Sequence, residues 1–264
     1  MTRVLAIANQ KGGVGKTTTA ISVATNIALA GWRTLLVDAD PQGNATTGFG
    51  INPRTLESST YNVLVQQLPI SAARIPTEVD GLDLLPSNLD LAGAEVELVP
   101  MFSRELRLRS AISLVANEYD YVLIDCPPSL GMVTVNSLAA AREVLIPVQC
   151  EYYALEGLGQ LLSNVDLIRQ SLNPDLEVTS IVLVMYDART RLAEQVVSEV
   201  RSHFGDMVRT TVVPRSVRLS EAPSYGQPIE LYDPASRGAV AYREVTKEIL
   251  DQQAPGISMP ERSP

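Results

Sequence analysis

The sequence predicts an α/β fold in which a doubly wound, mostly parallel sheet is flanked by helices. Short runs rich in valine, isoleucine and leucine alternate with longer segments of helical periodicity, and most of these runs are apolar throughout. Continuous apolar runs are typical of strands buried on both faces of a parallel sheet. The alternation of the two patterns indicates βαβ units that build one sheet.

The elements follow from these patterns in chain order. Predicted strands span residues 3–8, 34–38, 82–86, 121–125, 143–147, 178–185 and 208–213. Predicted helices span residues 16–30, 89–98, 104–118, 133–141, 155–171, 191–204 and 235–252. We expect residues 43–80 to be irregular, apart from a short helix near 61–67, because their periodicity is weak and turn residues are frequent.

Composition supports one globular domain over residues 1–252. Of the 264 residues, 45% are hydrophobic and 19% charged, which excludes a disordered or fibrous chain. The longest apolar runs fall far short of the roughly 20 residues that cross a bilayer, and no leader-like segment precedes the first strand. Residues 253–264 are rich in proline and serine, so we expect a disordered tail. The two cysteines, Cys126 and Cys150, fit a reducing cytosol.

Charge gives a first functional constraint. Thirty acidic against 21 basic residues give a net charge of −9, which taken alone argues against nucleic-acid binding. Only three lysines are present, Lys11, Lys16 and Lys247, and two of them lie within the seven residues KGGVGKT. This lysine pair directs attention to the N-terminal loop.

That loop predicts a phosphate site. The residues KGGVGKTT, 11–18, follow an apolar strand and open a helical segment, as in a phosphate-binding P-loop. Glycines let backbone N–H groups surround an anion at the positive end of a helix. Lys16 would neutralise the β- and γ-phosphates, and the Thr17 hydroxyl would ligate Mg²⁺. The predicted nucleotide-binding residues are Gly12, Gly13, Val14, Gly15, Lys16, Thr17 and Thr18.

The second lysine carries a family resemblance. KGGVGKT resembles the deviant Walker A motif of the ParA/MinD family of P-loop ATPases. The resemblance implies that this protein hydrolyses ATP with Mg²⁺, and that Lys11 reaches across the interface of an ATP-bound homodimer to the phosphates of the other subunit. A solvated loop lysine is the alternative interpretation of Lys11.

Two further motifs resemble other parts of that family's site. VDADPQGN, 37–44, is similar to switch I, and LIDCPPSLG, 123–131, is similar to Walker B and switch II. The resemblance implies that Asp40 positions the attacking water, that Asp38 supports the metal, and that Asp125 supports Mg²⁺ from outside its direct ligands. Gly131 would follow the γ-phosphate. An aspartate that merely caps a strand is the alternative in each case.

Later motifs resemble the chromosomal ParA, or Soj, branch. These are PVQCEYYALEGL at 147–158, VLVMYDARTRL at 182–192 and VPRSVRLSEAPSYGQP at 213–228, and the resemblance covers about residues 3–250. It implies chromosome segregation with a ParB-type, Spo0J-like partner that stimulates slow ATP hydrolysis, in the cytoplasm at the nucleoid. It also implies that the loop holding Pro214, together with Met185, packs around the adenine.

The same resemblance implies sequence-independent binding of double-stranded DNA when ATP is bound. Residues 186–220 hold six arginines and four acidic residues, a net charge of +2, so the remainder carries −11. Non-specific binding requires only that phosphates are neutralised. We expect Arg189 and Arg218 to contact DNA, with Arg215 and Arg201 as further candidates. Surface ion pairs are the alternative role of these arginines.

Three other functions remain to be weighed. A MinD-like ATPase would bind a membrane surface through a terminal amphipathic helix, which the end of this sequence lacks, so we expect no membrane partner. A cargo-positioning ATPase would have the same ATP site. Nitrogenase iron proteins hold an iron–sulfur cluster between subunits, but Cys126 and Cys150 do not match the positions of those ligands; small buried cysteines are expected instead.

Overall fold

A computed structural model describes residues 2–151 and 154–252, so the expected tail at 253–264 lies outside the described residues. A seven-stranded sheet has the order β3-β4-β2-β5-β1-β6-β7 and is parallel except for β3. The strands are β1 (Arg3–Ile7), β2 (Thr34–Asp38), β3 (Ile75–Pro76), β4 (Leu82–Leu85), β5 (Tyr121–Asp125), β6 (Glu143–Gln149) and β7 (Glu177–Val184). The predicted fold class is confirmed.

Helices cover both faces of the sheet. The α-helices are α1 (Lys16–Leu29), α2 (Asn44–Gly48), α3 (Thr60–Gln66), α4 (Ile70–Ala73), α5 (Ala94–Glu97), α6 (Arg107–Val115), α7 (Met132–Ala140), α8 (Ala154–Ser171), α9 (Arg191–Phe204), α10 (Val217–Glu221), α11 (Ile229–Tyr232) and α12 (Arg237–Asp251). Single 3₁₀ turns lie at Pro53–Thr55, Leu89–Gly93, Arg104–Leu106, Gly205–Met207 and Ala222–Tyr225. None of the helices in the described ranges is long and apolar enough to cross a membrane.

The predicted strand at 208–213 is wrong. This segment runs beside β7 but makes only isolated bridges, between Val208 and Ile181 and between Pro214 and Tyr186. The backbone N–H groups of Thr210 and Thr211 donate instead to the carboxylate of Glu248 in α12, at 2.6 and 2.8 Å. A side chain therefore replaces the strand neighbour that a continuous ladder would need.

Other differences concern local detail. Residues 43–80, expected to be irregular apart from one short helix, also hold the short helices α2 and α4. The predicted helix at 89–98 is a 3₁₀ turn over Leu89–Gly93 followed by the four residues of α5. Strand β3 was not predicted, since its two residues are too short for any periodicity and one of them is a proline at the sheet edge.

The core explains why α1 is rigid. All residues of β1, β2 and β5 are buried, as expected for central strands covered on both faces. Helix α1 packs against these strands and is itself covered by α12, so it is buried nearly all round. The loop that precedes α1 is therefore attached to a fixed strand at one end and to a buried helix at the other.

The sheet register brings the predicted site residues to one edge. Asp38 at the end of β2 is paired with Asp125 at the end of β5, and Asp125 is paired with Ile7 at the end of β1. From β1 the chain continues to β2, toward the β3 end of the strand order. From β5 it continues to β6, toward the β7 end. This reversal of strand order is where ligands bind in open α/β sheets.

Glu230 in α11 offers a test of the buried packing around α1. Its Oε1 accepts a hydrogen bond from Asn26 of α1 at 2.8 Å, whereas its buried Oε2 has no partner. Burial raises the pKa of Glu230 to about 7. The folded protein thus keeps this proton at pH values where the unfolded chain, with an ordinary pKa of 4.5, has released it.

We expect the free energy of unfolding to fall as pH rises from about 4.5 to 7, because the ionised Glu230 is disfavoured in the folded state. In Glu230→Gln that contribution is absent, so the variant should be more stable than the wild type at pH 8 by on the order of 2 kcal/mol. Urea titrations of both proteins at pH 5 and pH 8 measure the difference. Equal pH slopes for both proteins would contradict this prediction.

Candidate functional site

The loop between β1 and α1 has the backbone of a phosphate cradle. Gly13 and Gly15 have φ of 74° and 78°, values that other residues rarely adopt. A Cβ atom at Gly12 or Gly13 would meet nothing within 4 Å, so the loop leaves open space in front of its backbone. Open space and free N–H groups at the start of a long helix are what an anion needs.

Lys16 lies inside this loop. Its side chain is buried and its Nζ donates to the backbone carbonyl of Lys11 at 3.2 Å. Burial lowers the pKa of Lys16, and the negative charges of Asp125 and Asp40 partly oppose this. The ammonium group therefore lies between the loop backbone and the carboxylates at the ends of the strands.

Asp38 is held by the segment that follows it. Its buried carboxylate accepts hydrogen bonds from the backbone N–H and hydroxyl of Thr46, at 2.8 and 2.7 Å, and from the N–H of Asp40 at 3.2 Å. Burial nevertheless raises the pKa of Asp38 to about 6. Sequence reasoning missed Thr46, although a threonine two residues into the helical segment after VDADPQGN was a usable signal. Asp40 is also buried and accepts the N–H of Gln42 at 3.0 Å.

Asp125 is a buried carboxylate without a well-formed hydrogen bond. Both of its oxygens are inaccessible and unpaired. Burial and the neighbouring Asp38 raise its pKa well above the ordinary value, and the nearby Thr17 and Lys16 only partly offset this. An unpaired carboxylate beside a phosphate loop fits a site that gains a cation together with its ligand.

The metal ligands cannot all come from the protein. In the described part of the chain, no group of three or more His, Cys, Asp or Glu residues has the geometry to hold a metal ion. Mg²⁺ takes most of its oxygens from phosphates and water in such sites. The residues present therefore fit an ion that binds with the nucleotide, near Thr17, Asp38 and Asp125.

Lys11 points away from the loop's interior. Its exposed Nζ forms an ion pair with Glu151 at 3.2 Å. Its backbone N–H donates to the side chain of Asn9, which in turn donates to the carbonyl of Pro147. Asn9 and Glu151 were missed from the sequence; Asn9 was detectable as a turn-forming residue two positions before Lys11. The two lysines of the loop thus face an interior and an exterior, respectively.

Met185 lies next to the phosphate loop. A Cβ built on Gly15 would contact its Cε at 3.8 Å, and its own backbone has a positive φ of 54°, which is rare outside glycine. Pro214 is half-buried and forms an isolated β-bridge with Tyr186, the residue that follows Met185. The structure therefore brings the two predicted adenine contacts to the same edge of the sheet as the loop.

The four arginines predicted to contact DNA are distributed over more than one place. Arg189 is strongly exposed and forms a close pair with Asp187 at 2.7 Å. Arg215 also acts on Asp187, whose pKa these arginines hold well below its usual range. Arg218, in α10, forms ion pairs with Glu221 at 3.0 Å and Asp233 at 3.4 Å.

Arg201 does not join Arg189. It lies near the C-terminal end of α9 and donates to the carbonyl of Thr210, whereas Arg189 precedes the start of this helix, about 15 Å away along the axis. Arg209, one of the six arginines behind the local net charge, is buried and donates to the carbonyls of Thr179 and Asp206. Its charge is therefore unavailable at the surface.

The two cysteines are buried, as expected, and neither is in a disulfide bond. Burial raises the pKa of Cys126 to about 12 and that of Cys150 to about 11, so both remain protonated thiols. Neither has the low pKa of a reactive or metal-bound thiolate.

Comparison with known proteins extends this geometry. A family model described as an AAA domain matches residues 2–178. The chain is 54% identical over 249 residues to the sporulation initiation inhibitor protein Soj of Bacillus subtilis, covering 94% of this chain and 98% of that protein. It is 53% identical over 253 residues to the chromosome partitioning protein ParA of Myxococcus xanthus, covering 96% and 89%.

One solved structure of similar fold has a name that does not refer to chromosome partitioning. The cobyrinic acid a,c-diamide synthase of Mycobacterium smegmatis, with bound ADP and magnesium, is 40% identical, with a TM-score of 0.85 and complete coverage of both chains. The relatives named Soj and ParA are more similar in sequence over nearly the full length. The chain therefore belongs to the ParA/Soj family of chromosome-partitioning P-loop ATPases.

Proposed function

We propose that this protein hydrolyses ATP with Mg²⁺, dimerises when ATP is bound, binds double-stranded DNA without sequence preference, and partitions chromosomes with a ParB-type partner. The observation that carries the proposal is the phosphate loop with two lysines of opposite orientation, Lys16 buried inside it and Lys11 exposed on its rim. One lysine serves the chain's own nucleotide and the other is free to serve a second copy's.

Within one subunit, the loop binds the phosphates and Lys16 offsets their charge. Asp125, Asp38 and the Thr17 hydroxyl provide the polar surroundings of the metal. Mg²⁺, when bound, neutralises charge that develops on the phosphate oxygens. Asp40 has one carboxylate oxygen engaged by Gln42, and its other oxygen orients the attacking water.

Between subunits, Lys11 leaves Glu151 and reaches the partner's phosphates. An exposed ion pair between long side chains contributes little free energy, so this exchange is easily reversed. The γ-phosphate of ATP supplies negative charge that ADP lacks, so the exchange depends on ATP. Hydrolysis removes that contact and opens the dimer.

The DNA-binding surface comprises Arg189, Arg215 and Arg218, with Arg201 as a separate contact. Each subunit contributes one such group of arginines, and dimerisation doubles it. The acidic partners Asp187, Glu221 and Asp233 compete with DNA phosphates for these guanidinium groups. Binding is therefore weak in the monomer and sensitive to salt.

A membrane-surface ATPase of the MinD type and a cargo-positioning ATPase are the competing proposals. Both would have the same nucleotide chemistry and differ in what the dimer binds. ATP-dependent sedimentation with liposomes of anionic lipid, or failure of a ParB-type protein to stimulate hydrolysis, would favour one of them over chromosome partition.

The exposed ion pair between Lys11 and Glu151 allows the role of Lys11 to be tested. We expect Lys11→Ala to abolish the ATP-dependent dimer while leaving the ADP affinity of the monomer unchanged, because the exposed Lys11 ammonium group points away from the phosphate loop of its own subunit. Glu151→Gln is the matched control, since it breaks the same pair and leaves the lysine in place. Sedimentation velocity with a non-hydrolysable ATP analogue measures the dimer. A wild-type level of dimer in Lys11→Ala would rule out the role in trans.

At Asp125, an effect on stability can be separated from an effect on nucleotide binding. We expect Asp125→Asn to raise the free energy of unfolding without nucleotide by about 1–3 kcal/mol at pH 7, because it removes an unpaired buried carboxylate repelled by Asp38. The same change should weaken ATP binding in Mg²⁺ but not in EDTA. Thermal unfolding and nucleotide titrations measure the two effects, and a destabilised variant with unaltered Mg²⁺ dependence would contradict both.

Charge reversal tests whether the exposed arginines bind DNA. We expect Arg189→Glu or Arg218→Glu to weaken duplex binding about tenfold at low salt with ATP-dependent dimerisation unchanged. Arg109→Glu is the matched control, since this exposed arginine lies on α6, which packs with α3, α4 and α7 away from β7. Titrations with ATP, ADP and no nucleotide at two salt concentrations test the ATP dependence as well. Unchanged binding in both variants would exclude this surface.

A further inference from the structure

The start of α7 is capped by a side chain from a distant element. The backbone N–H groups of Met132 and Val133 donate to the Oε2 and Oε1 atoms of Glu95, at 2.5 and 3.3 Å. The first N–H groups of a helix have no partner within it, and a negative charge is favoured there. Glu95 belongs to α5, 37 residues before Met132 in the chain. No side chain at the N-cap position, Gly131, performs this role.

Gly131 is matched to this contact. A Cβ at Gly131 would collide with both carboxylate oxygens of Glu95. The φ of Gly131 is −95°, a value that any residue adopts, so the backbone alone does not require glycine. A side chain at this position would instead have to displace the Glu95 carboxylate that occupies the space.

The contact lies at one end of a segment next to the candidate nucleotide site. Residues 126–131, the switch segment, connect Asp125 at the end of β5 to the first residue of α7. One end of the switch segment is fixed by the sheet register of Asp125. The other end is fixed where Glu95 holds α7. Within it, the Ser129 carbonyl accepts a hydrogen bond from the hydroxyl of Thr134 in α7 at 2.6 Å, and the Gly131 carbonyl accepts one from the backbone N–H of Val135 at 3.0 Å.

We propose that Glu95 is a positioning residue for ATP hydrolysis, and that it acts by holding the start of α7 and with it the switch segment. The inference rests on the ATPase activity proposed above. Loss of the carboxylate charge weakens the cap, so the switch segment occupies its productive position for a smaller fraction of the time. Binding of ADP, which relies on the phosphate loop and α1, is unaffected.

Glu97 supplies a matched control on the same helix. Its exposed carboxylate accepts a hydrogen bond from the hydroxyl of Tyr61 in α3 at 2.9 Å, so its hydrogen bond goes to α3 and not to the start of α7. Glu95→Gln and Glu97→Gln therefore remove the same charge from the same short helix. Only the first change affects the cap of α7.

The first experiment compares single-turnover hydrolysis of ATP with Mg²⁺, and ADP affinity, in the wild type and both variants. We expect Glu95→Gln to hydrolyse ATP about fivefold more slowly, with ADP affinity within about twofold of the wild type. Glu97→Gln should match the wild type. Equal rates in the two variants, or a parallel loss of hydrolysis and ADP affinity in Glu95→Gln, would overturn the inference. An inactive wild type would instead refute the proposed ATPase function.

The second experiment uses the match between the two residues. In the wild-type background, Gly131→Ala should slow hydrolysis because its methyl group displaces the Glu95 carboxylate. In a Glu95→Ala background, Gly131→Ala should cause no further loss, because the space is already empty. Additive losses would show that Gly131 acts on the nucleotide independently of Glu95, which contradicts the proposal.

Discussion

The arrangement of this protein depends on two carboxylates and one ammonium group buried at the carboxyl ends of three adjacent strands. Asp38 and Asp125 are paired on neighbouring strands, and Lys16 at the start of α1 lies near Asp125. Taking like charges out of water is costly, and the cost is met here only in part: Asp38 has three hydrogen bonds, whereas Asp125 has none that are well formed. The unpaired carboxylate fits the proposed entry of a cation together with a phosphate group.

The rest of the fold keeps these groups from moving apart. Helix α1 is buried on nearly all sides, so moving it away from the carboxylates would disrupt its packing against the sheet and α12. The central strands are buried throughout, so their ends remain in register. Relaxation is left to the connecting segments, namely the loop with Lys11, the residues after Asp38, and the switch segment held by Glu95. These are the parts of the site where a nucleotide can change the structure at low cost.

The sequence was most informative where one local pattern decides the structure. Strands 34–38 and 121–125 and helix 191–204 were predicted with their observed bounds, because continuous apolar runs and helical periodicity are local properties. The phosphate loop was identified for the same reason. The strand predicted at 208–213 is interrupted because the N–H groups of Thr210 and Thr211 donate to a side chain, Glu248, from a helix some forty residues later. Glu95 and Glu151 were missed likewise, since their partners lie 37 and 140 residues away.

Net charge alone gives a misleading view of the arginine-rich region. Of its six arginines, Arg209 is buried, and Arg189 and Arg218 are already paired with acids on the same surface. A polyanion must therefore displace carboxylates before it gains these contacts, which lowers affinity per subunit and favours dissociation. Lys11 is subject to the same condition through Glu151. Three of the cations proposed to reach another molecule thus have an acidic competitor within the chain: Lys11, Arg189 and Arg218. A contact made against such a competitor is weak by itself, so binding relies on several contacts made together. Loss of one contact, such as that of Lys11, then weakens the binding that depends on all of them, as the proposed cycle of binding and release requires.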